Sequence, residues 1–387
     1  MSDPGRGRGG AAVVQRVLPN YRVPFFDLLS ERLGGGLEIF AGSPRPEEGI
    51  RTGKKPARAS LTEAVNVNVG AGRYHVIWQK GIESWLRRVD PDVLIAEANP
   101  RMLSNRLAVR YMKSRGRPII GWGLGALEWS GPSFVKALRE KLIERYFRRF
   151  DAMIAYSGKG AEDYARFGVA RDRIFVAPNS VSRRGAEQAL KRMKTNPEVV
   201  AKWKDILGLS ERPVALYVGR LAPQKRVSDL IRANGLLGGA MDLLIVGDGP
   251  EMEKLIAESD KVGGRALFLG HIEGEQLGIC FAVADIFVLP GTGGLAVQEA
   301  MMYGKPVLTA PGDGTQGDLV RDGENGYVIR PGDVDLLARL MMKMIEDPGA
   351  IREMGERSLR IIKEEVNIDK MADAFITAIG AVLKKDG

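Results

Sequence analysis

Arg220 and Lys225 stand five residues apart in the segment LYVGRLAPQKR, where a short β-branched run gives way to the helical pattern VSDLIRA. Two cations in a strand-to-helix loop can converge on one diphosphate, and the N-terminus of the following helix adds backbone N–H groups to the same anion. A solvated basic loop fits that spacing equally well. At a second junction, DIFVLP runs into Gly291-Thr292-Gly293-Gly294 and then LAVQEAMM. Glycines at a helix start leave the backbone N–H groups of Gly293, Gly294 and Leu295 open to a phosphate. Glu299 follows on the first turns of that helix, where a carboxylate can accept hydrogen bonds from two sugar hydroxyls; taken alone, an exposed helix glutamate is the commoner reading. Two further loops follow apolar runs: Asp248-Gly249-Pro250-Glu251 after LLIVG, and His271-Ile272-Glu273-Gly274-Glu275 after LFLG.

The elements that must position these residues alternate along the whole chain. AVVQRVL, LEIF, DVLIAEA, RPIIGWG, AMIAYS and RIFVAP precede VALYVGR, DLLIVGDG, RALFLG, DIFVLPG, KPVLTAP and NGYVIRPG, with helical-period segments between them. This is a doubly wound α/β pattern. It breaks between Pro178 and Pro213, so the sequence divides into domains at 1–185 and 186–366, with a last helical stretch over 367–387. Open parallel sheets bind ligands outside the carboxyl ends of their strands, which makes the cleft between two such domains the expected site.

Composition narrows the classes. The 387 residues include 48 Gly and 20 Pro with 44% hydrophobic residues, too little Gly and Pro for a low-complexity chain and enough apolar content for a large core. One cysteine, Cys280, rules out a disulfide framework or a cysteine-ligated zinc site and reads as a small core residue. No apolar stretch reaches the length of a membrane span, and the start, SDPGRGRGG, lacks the apolar core of a signal peptide, so the expected location is the cytoplasm. The charge of +9 is uneven: residues 1–180 carry 30 Lys and Arg against 18 Asp and Glu, and the remainder 27 against 30. The basic first half points to an anionic partner, which charge alone does not identify.

The ordered set of motifs is more specific than any one of them. A strand ending in Gly-Arg with Lys225 beyond it, then VGDGPE, FLGHIEGEQL, GGLAVQEAMMYGKPV and NGYVIRPGD, resembles the nucleotide-binding half of the family 4 glycosyltransferases of the GT-B fold, over roughly residues 213–335. The resemblance implies two Rossmann-like domains facing across a cleft, the first binding acceptor and the second a nucleoside diphosphate sugar. It implies that Arg220 and Lys225 bind the donor diphosphate and act in catalysis, that Glu299 binds the donor ribose, and that the backbone around Ile272 contacts the base. It also implies retention at the anomeric carbon, no metal and no cofactor beyond the nucleotide sugar, and a last helix packed back on the first domain. One departure stands out: the family commonly carries two glutamates separated by seven residues, and the first position is Gly291 here.

In the first half, Asn20, Tyr21 and Arg22 follow the strand AVVQRVL, and by the same, looser resemblance they face the cleft as acceptor candidates. Trp122 takes the place near which relatives carry a histidine that touches the donor sugar. The run around it formally fits G-x-G-x-x-A, yet it falls at a late strand with no acidic residue at a strand end about 20 positions on, which disfavours a dinucleotide fold. Residues 133–150, SFVKALREKLIERYFRRF, set Phe134, Leu138, Leu142, Tyr146, Phe147 and Phe150 on one helical stripe with six cations elsewhere. That pattern fits either an anionic membrane surface or a core-facing stripe with a solvated basic back. The basic first half tilts the expectation toward peripheral membrane contact and a glycan or lipid-linked acceptor. A sugar-nucleotide epimerase on the same fold, and a sugar-nucleotide-binding subunit without turnover, are the competing readings. A nucleic-acid partner is not expected: it would need basic residues interleaved with exposed aromatics or a recognition helix, and its binding would fall steeply with salt.

Overall fold

The computed structural model describes residues 10–70, 75–125, 133–209, 211–312 and 314–384. They form two compact units, Met1–Val181 with Ile368–Gly387, and Ser182–Asn367. The division falls at 181 rather than 185 because the helix Arg184–Thr195 packs with Glu198–Ile206 and Gly274–Val283 of the second unit.

In the first unit the strands are β1 (Ala11–Val17), β2 (Leu37–Gly42), β3 (Ser60–Val69), β4 (Val76–Lys80), β5 (Val93–Glu97), β6 (Ile119–Gly123), β7 (Ala152–Ala155) and β8 (Ile174–Val176), in the order β4-β3-β2-β1-β5-β6-β7-β8. All neighbours are parallel except β3 and β4. Helices cover both faces, so alternate residues of one strand feed different cores: Ala11 and Val13 of β1 join one, Ala12 and Val14 the other. The first core closes when the chain returns after the second unit. The helix Ile368–Leu383 lays Phe375 against Phe25, with ring centroids 5.0 Å apart, and Trp122, at 4.8 Å. Arg32 on the helix Val23–Leu33 adds ion pairs to Asp369 and Asp373.

The second unit holds β9 (Val214–Val218), β10 (Asp242–Val246), β11 (Ala266–Gly270), β12 (Ile286–Leu289), β13 (Val307–Thr309) and β14 (Gly326–Val328), all parallel in the order β11-β10-β9-β12-β13-β14. Buried on both sides, these strands are apolar throughout their centres, as Leu216, Tyr217, Leu244 and Phe287 show with no exposed surface. The strand order reverses between β9 and β12, and the crevice at such a reversal is where doubly wound sheets hold ligands.

Candidate functional site

The loops leaving β9 and β12 are locked together at that reversal. Pro223–Lys225 form a single 3-10 turn ended by Arg226 in the left-handed region at φ 54°. The backbone N–H of Thr292 donates to Gln224 O at 3.0 Å, and Lys225 Nζ donates to Thr292 O. The structure therefore brings Lys225 to the glycine loop, with Arg220 exposed at the start of the same turn. The carbonyl of Arg220 accepts the buried Tyr217 hydroxyl at 3.1 Å. On the other side of β9, Leu221 N donates to Asp248 O at 2.8 Å, and Glu251 N to Leu221 O at 3.2 Å. A Cβ on Gly249 would lie 2.2 Å from Leu221 O, so the loop after β10 reaches the Arg220 turn only because position 249 is glycine.

The same test explains Gly291. A Cβ there would lie 2.3 Å from Gln224 O and 2.5 Å from Lys225 O. No side chain fits, and the absence of the first family glutamate follows from how closely this loop is packed on the cation-bearing turn. Gly293, at φ +147°, would place a Cβ 2.9 Å from Lys225 Nζ, and Gly294 2.3 Å from Thr315 Oγ1. Gln316, buried, holds the loop from the far side: its Nε2 donates to Gly293 O at 2.5 Å while its Oε1 accepts Gly312 N at 3.1 Å. Sequence reasoning missed Thr315 and Gln316, because the helix they open, Gln316–Leu319, is too short to show a helical period.

Leu295 opens the helix Leu295–Met302, and Glu299 lies one turn along it. Burial pushes the Glu299 carboxyl up to about 7, with no cation offsetting the effect. Burial also pushes the Tyr303 phenol up to about 12, with Glu299 adding to it. Ile272 sits half-buried after β11, two strand spacings, roughly 10 Å, from the line of β9. Lys305 is a structural cation: its Nζ donates to Ala284 O at 2.6 Å at the C-terminal end of Gly274–Val283, and burial lowers it to about 8.

In the first unit Asn20–Arg22 form a 3-10 turn beyond β1. Tyr21 is 37% exposed and Arg22 only 4%. The Arg22 guanidinium lies 4.5 Å from the Trp122 ring and 5.3 Å from Tyr156, and Nη2 donates to Asn179 Oδ1 at 3.0 Å. Although burial opposes its charge, Tyr156 and Tyr21 leave Arg22 with a net upward shift. Trp122 is a correction. It has no exposed surface and fills the core among Phe25, Phe26, Tyr156 and Phe375, so it is not a ligand-contacting residue. The glycines beside it make room for side chains instead of a dinucleotide: a Cβ on Gly121 would meet Met153 Sδ at 2.6 Å, and one on Gly123 the Tyr164 hydroxyl at 3.0 Å. Sequence reasoning passed over Glu97, at the end of β5 where this sheet also reverses, whose Oε2 accepts Arg16 N at 2.9 Å. The aromatic stripe of 133–150 splits as well: Tyr146, Phe147 and Phe150 are buried while Leu138 and Leu142 are 54% and 60% exposed. The side chain of Phe134 lies outside the described residues.

The family profile described as glycosyl transferases group 1 matches residues 199–361, and that of glycosyltransferase family 4 matches 31–184. The chain belongs to this family. The lipopolysaccharide core biosynthesis glycosyltransferase LpsE of Rhizobium meliloti is 26% identical over 315 residues, 77% of this chain and 87% of that one. The sulfoquinovosyl transferase SQD2 of Arabidopsis thaliana is 33% identical over 151 residues, 36% of this chain and 28% of SQD2. Several other curated relatives are matched over less than half their length. Among solved structures, Anabaena HepE in complex with UDP superposes with a TM-score of 0.73 at 17% identity, covering 96% of this chain and 99% of that one. The family's two parallel-sheet α/β units, the GT-B fold, are the architecture described above.

Proposed function

We propose that this glycosyltransferase moves a sugar from a nucleoside diphosphate donor to a hydroxyl of a glycan or lipid-linked acceptor, with retention and without a metal ion. The observation that supports the reading is the pair of interlocked loops at the β9/β12 reversal, which ties Lys225 to the glycine loop ahead of Gly293, Gly294 and Leu295, with Arg220 exposed earlier in the same β9 loop. As the bond from anomeric carbon to diphosphate breaks, charge builds on the departing phosphate. These donors gain most there, and so stabilise the transition state more than the bound donor. Lys225 now bonds a neutral carbonyl, and an anion is a stronger partner for it. The acceptor hydroxyl forms the new bond on the face the diphosphate leaves, and its proton passes to the departing phosphate oxygen. Glu299 takes the ribose hydroxyls and the backbone at Ile272 the base. The HepE complexes with UDP and with UDP-glucose make uridine the first base to try.

The helix Ser133–Phe147 supports contact with an anionic bilayer. Leu138 and Leu142 are exposed one turn apart beside Lys141 and Arg145, and Lys141, Glu144, Arg145, Arg148 and Arg149 line a surface cavity of about 410 Å³. One observation favours the reading without turnover: Gly291 leaves no carboxylate where relatives hold the donor sugar. A panel of nucleoside diphosphate sugars with and without candidate acceptors separates the two. Acceptor-dependent release of nucleoside diphosphate, indifferent to a chelator and giving a product of unchanged anomeric configuration, is the expected result. Binding without release under any pairing would leave the non-catalytic reading in place.

A further inference from the structure

The hairpin of β3 and β4 carries apolar side chains on its outward face. Pairing of β3 with β2 ends at Ala64, and Val65–Val69 pair with β4 alone, so the ribbon projects beyond the carboxyl edge of the sheet. Its inner face sets hydrogen-bonded polar groups beside the buried Ala64 and Ile77. Gln79, fully buried, donates to Gln15 O at 3.0 Å and to Asn66 Oδ1 at 3.1 Å, Asn66 donates to Arg16 O at 2.8 Å, and Asn68 meets His75 at 2.9 Å. Its outer face is apolar. Val65 is 61% exposed, Val69 59% and Trp78 39%, with Val67 opposite Trp78 and Val76 opposite Val69. A solvated hairpin carries the opposite alternation. The inner hydrogen bonds fix the register, and a slip of one residue would turn every one of these groups over, so the valines are held outward. A contiguous apolar patch held in water marks a binding surface.

The segment leading into β3 supplies charge on the same side of the sheet. Residues 51–58, RTGKKPAR, hold four cations and no acid. Asn20 N donates to Arg51 O and Lys54 N to Asn20 Oδ1, both at 2.9 Å, which pins the segment beside the Asn20–Arg22 turn. Arg58 N donates to Asp27 Oδ1 at 2.8 Å on the helix Val23–Leu33, the side on which Leu61, and hence Val65, Val67 and Val69, stand. Arg58 pairs with Glu31, whereas Lys54 and Lys55 are exposed with no carboxylate partner among the described residues. Lys80, opposite Val65, adds a cation to the ribbon face; Glu63 is the acid on it.

We propose that this ribbon and the 51–55 loop bind an anionic amphiphile, the acceptor substrate itself: its alkyl portion on Val65, Val67, Val69 and Trp78, its phosphate at Lys54 and Lys55. The assignment rests on the transfer reading above. Free phosphate accounts for the lysines and not the valines, and a neutral glycoside for the valines and not the lysines. The bilayer is assigned to the other side of the sheet, because Ser133–Phe147 packs through Ile143, Tyr146 and Phe147 on the opposite core.

Trp78 is the reporter. Monomeric dodecyl phosphate, added below its micelle concentration, should shift the tryptophan emission to the blue, and Trp78→Phe should abolish the shift. Glycerol phosphate and dodecyl maltoside should bind at least about tenfold more weakly, as should the variants Val65→Ser with Val69→Ser, and Lys54→Glu with Lys55→Glu. Stabilisation by nucleoside diphosphate, read on the same samples, should persist in all variants, which certifies that they fold and keeps failure of this proposal separate from failure of the donor site. Equal binding of the neutral chain, a response to anionic vesicles alone, or a patch masked by concentration-dependent self-association would each overturn the assignment.

Discussion

Lowering the pH from about 7.5 to about 6 should weaken the binding of a nucleoside diphosphate sugar about eightfold. Glu299 sits one turn into the helix Leu295–Met302, and burial holds its carboxyl at about 7. A carboxylate that accepts two ribose hydroxyls must be ionised, and a protonated carboxyl loses part of that acceptor capacity. The ionised fraction is about 0.76 at pH 7.5 and about 0.09 at pH 6, a ratio of about 8 or roughly 1.2 kcal/mol of binding free energy. The diphosphate of a nucleotide sugar is esterified at both ends and stays fully ionised across this range, so the change belongs to the protein. The free protein should move the other way. A carboxyl whose folded pKa is raised contributes stability that is full below its unfolded value, about 4.5, and lost as pH rises through about 7. Calorimetric titration across this range, on the wild type and on Glu299→Gln, reads the effect. The variant should bind weakly at both ends with the slope removed. A flat wild-type profile, affinity rising toward acid, or a variant that keeps the slope would refute the role of Glu299.

Other substitutions test the packing around the site. Gly291→Ala places a methyl 2.3 Å from Gln224 O, and the overpacking should destabilise the fold by about 1 to 3 kcal/mol and reduce nucleotide affinity, measured by denaturant unfolding and titration; Gly291→Glu should not restore a family-like site. Trp122→Ala should destabilise by about 3 to 5 kcal/mol as a core cavity, while leaving nucleotide affinity in the folded fraction unchanged. Arg220→Ala should lower turnover by roughly 10² to 10³ with the fold intact, and unchanged turnover would remove Arg220 from the mechanism.

The strands of the second unit were legible because each is a short apolar run followed by a loop of distinctive composition. What spacing could not show was contact. Gly291 looked like a lost carboxylate, and only the 2.3 Å approach of Gln224 O gives it a reason. In the first unit β3 and β4 went unread, although VNVNV alternates strictly. Alternation does not say which face is buried, and here Asn66 is tied inward while Val65 and Val69 stand out. Trp122 reads differently in the structure, and the 133–150 stripe divides between buried aromatics and exposed leucines, for a related reason. An aromatic at a strand end, or a leucine at helical spacing, acquires its environment from what packs on it, and for Trp122 that includes Phe375, more than 250 residues away in the sequence.

The most direct test of the central claim is thermal stabilisation by a panel of nucleoside diphosphates, with NAD as control, on the wild type and on Lys225→Ala. A ligand that binds the folded state alone raises stability by mass action. Selective stabilisation by one diphosphate, lost in Lys225→Ala and absent with NAD, is the predicted result. No shift with any diphosphate, or a shift that survives the loss of Lys225, would contradict a donor site built on the β9 and β12 loops.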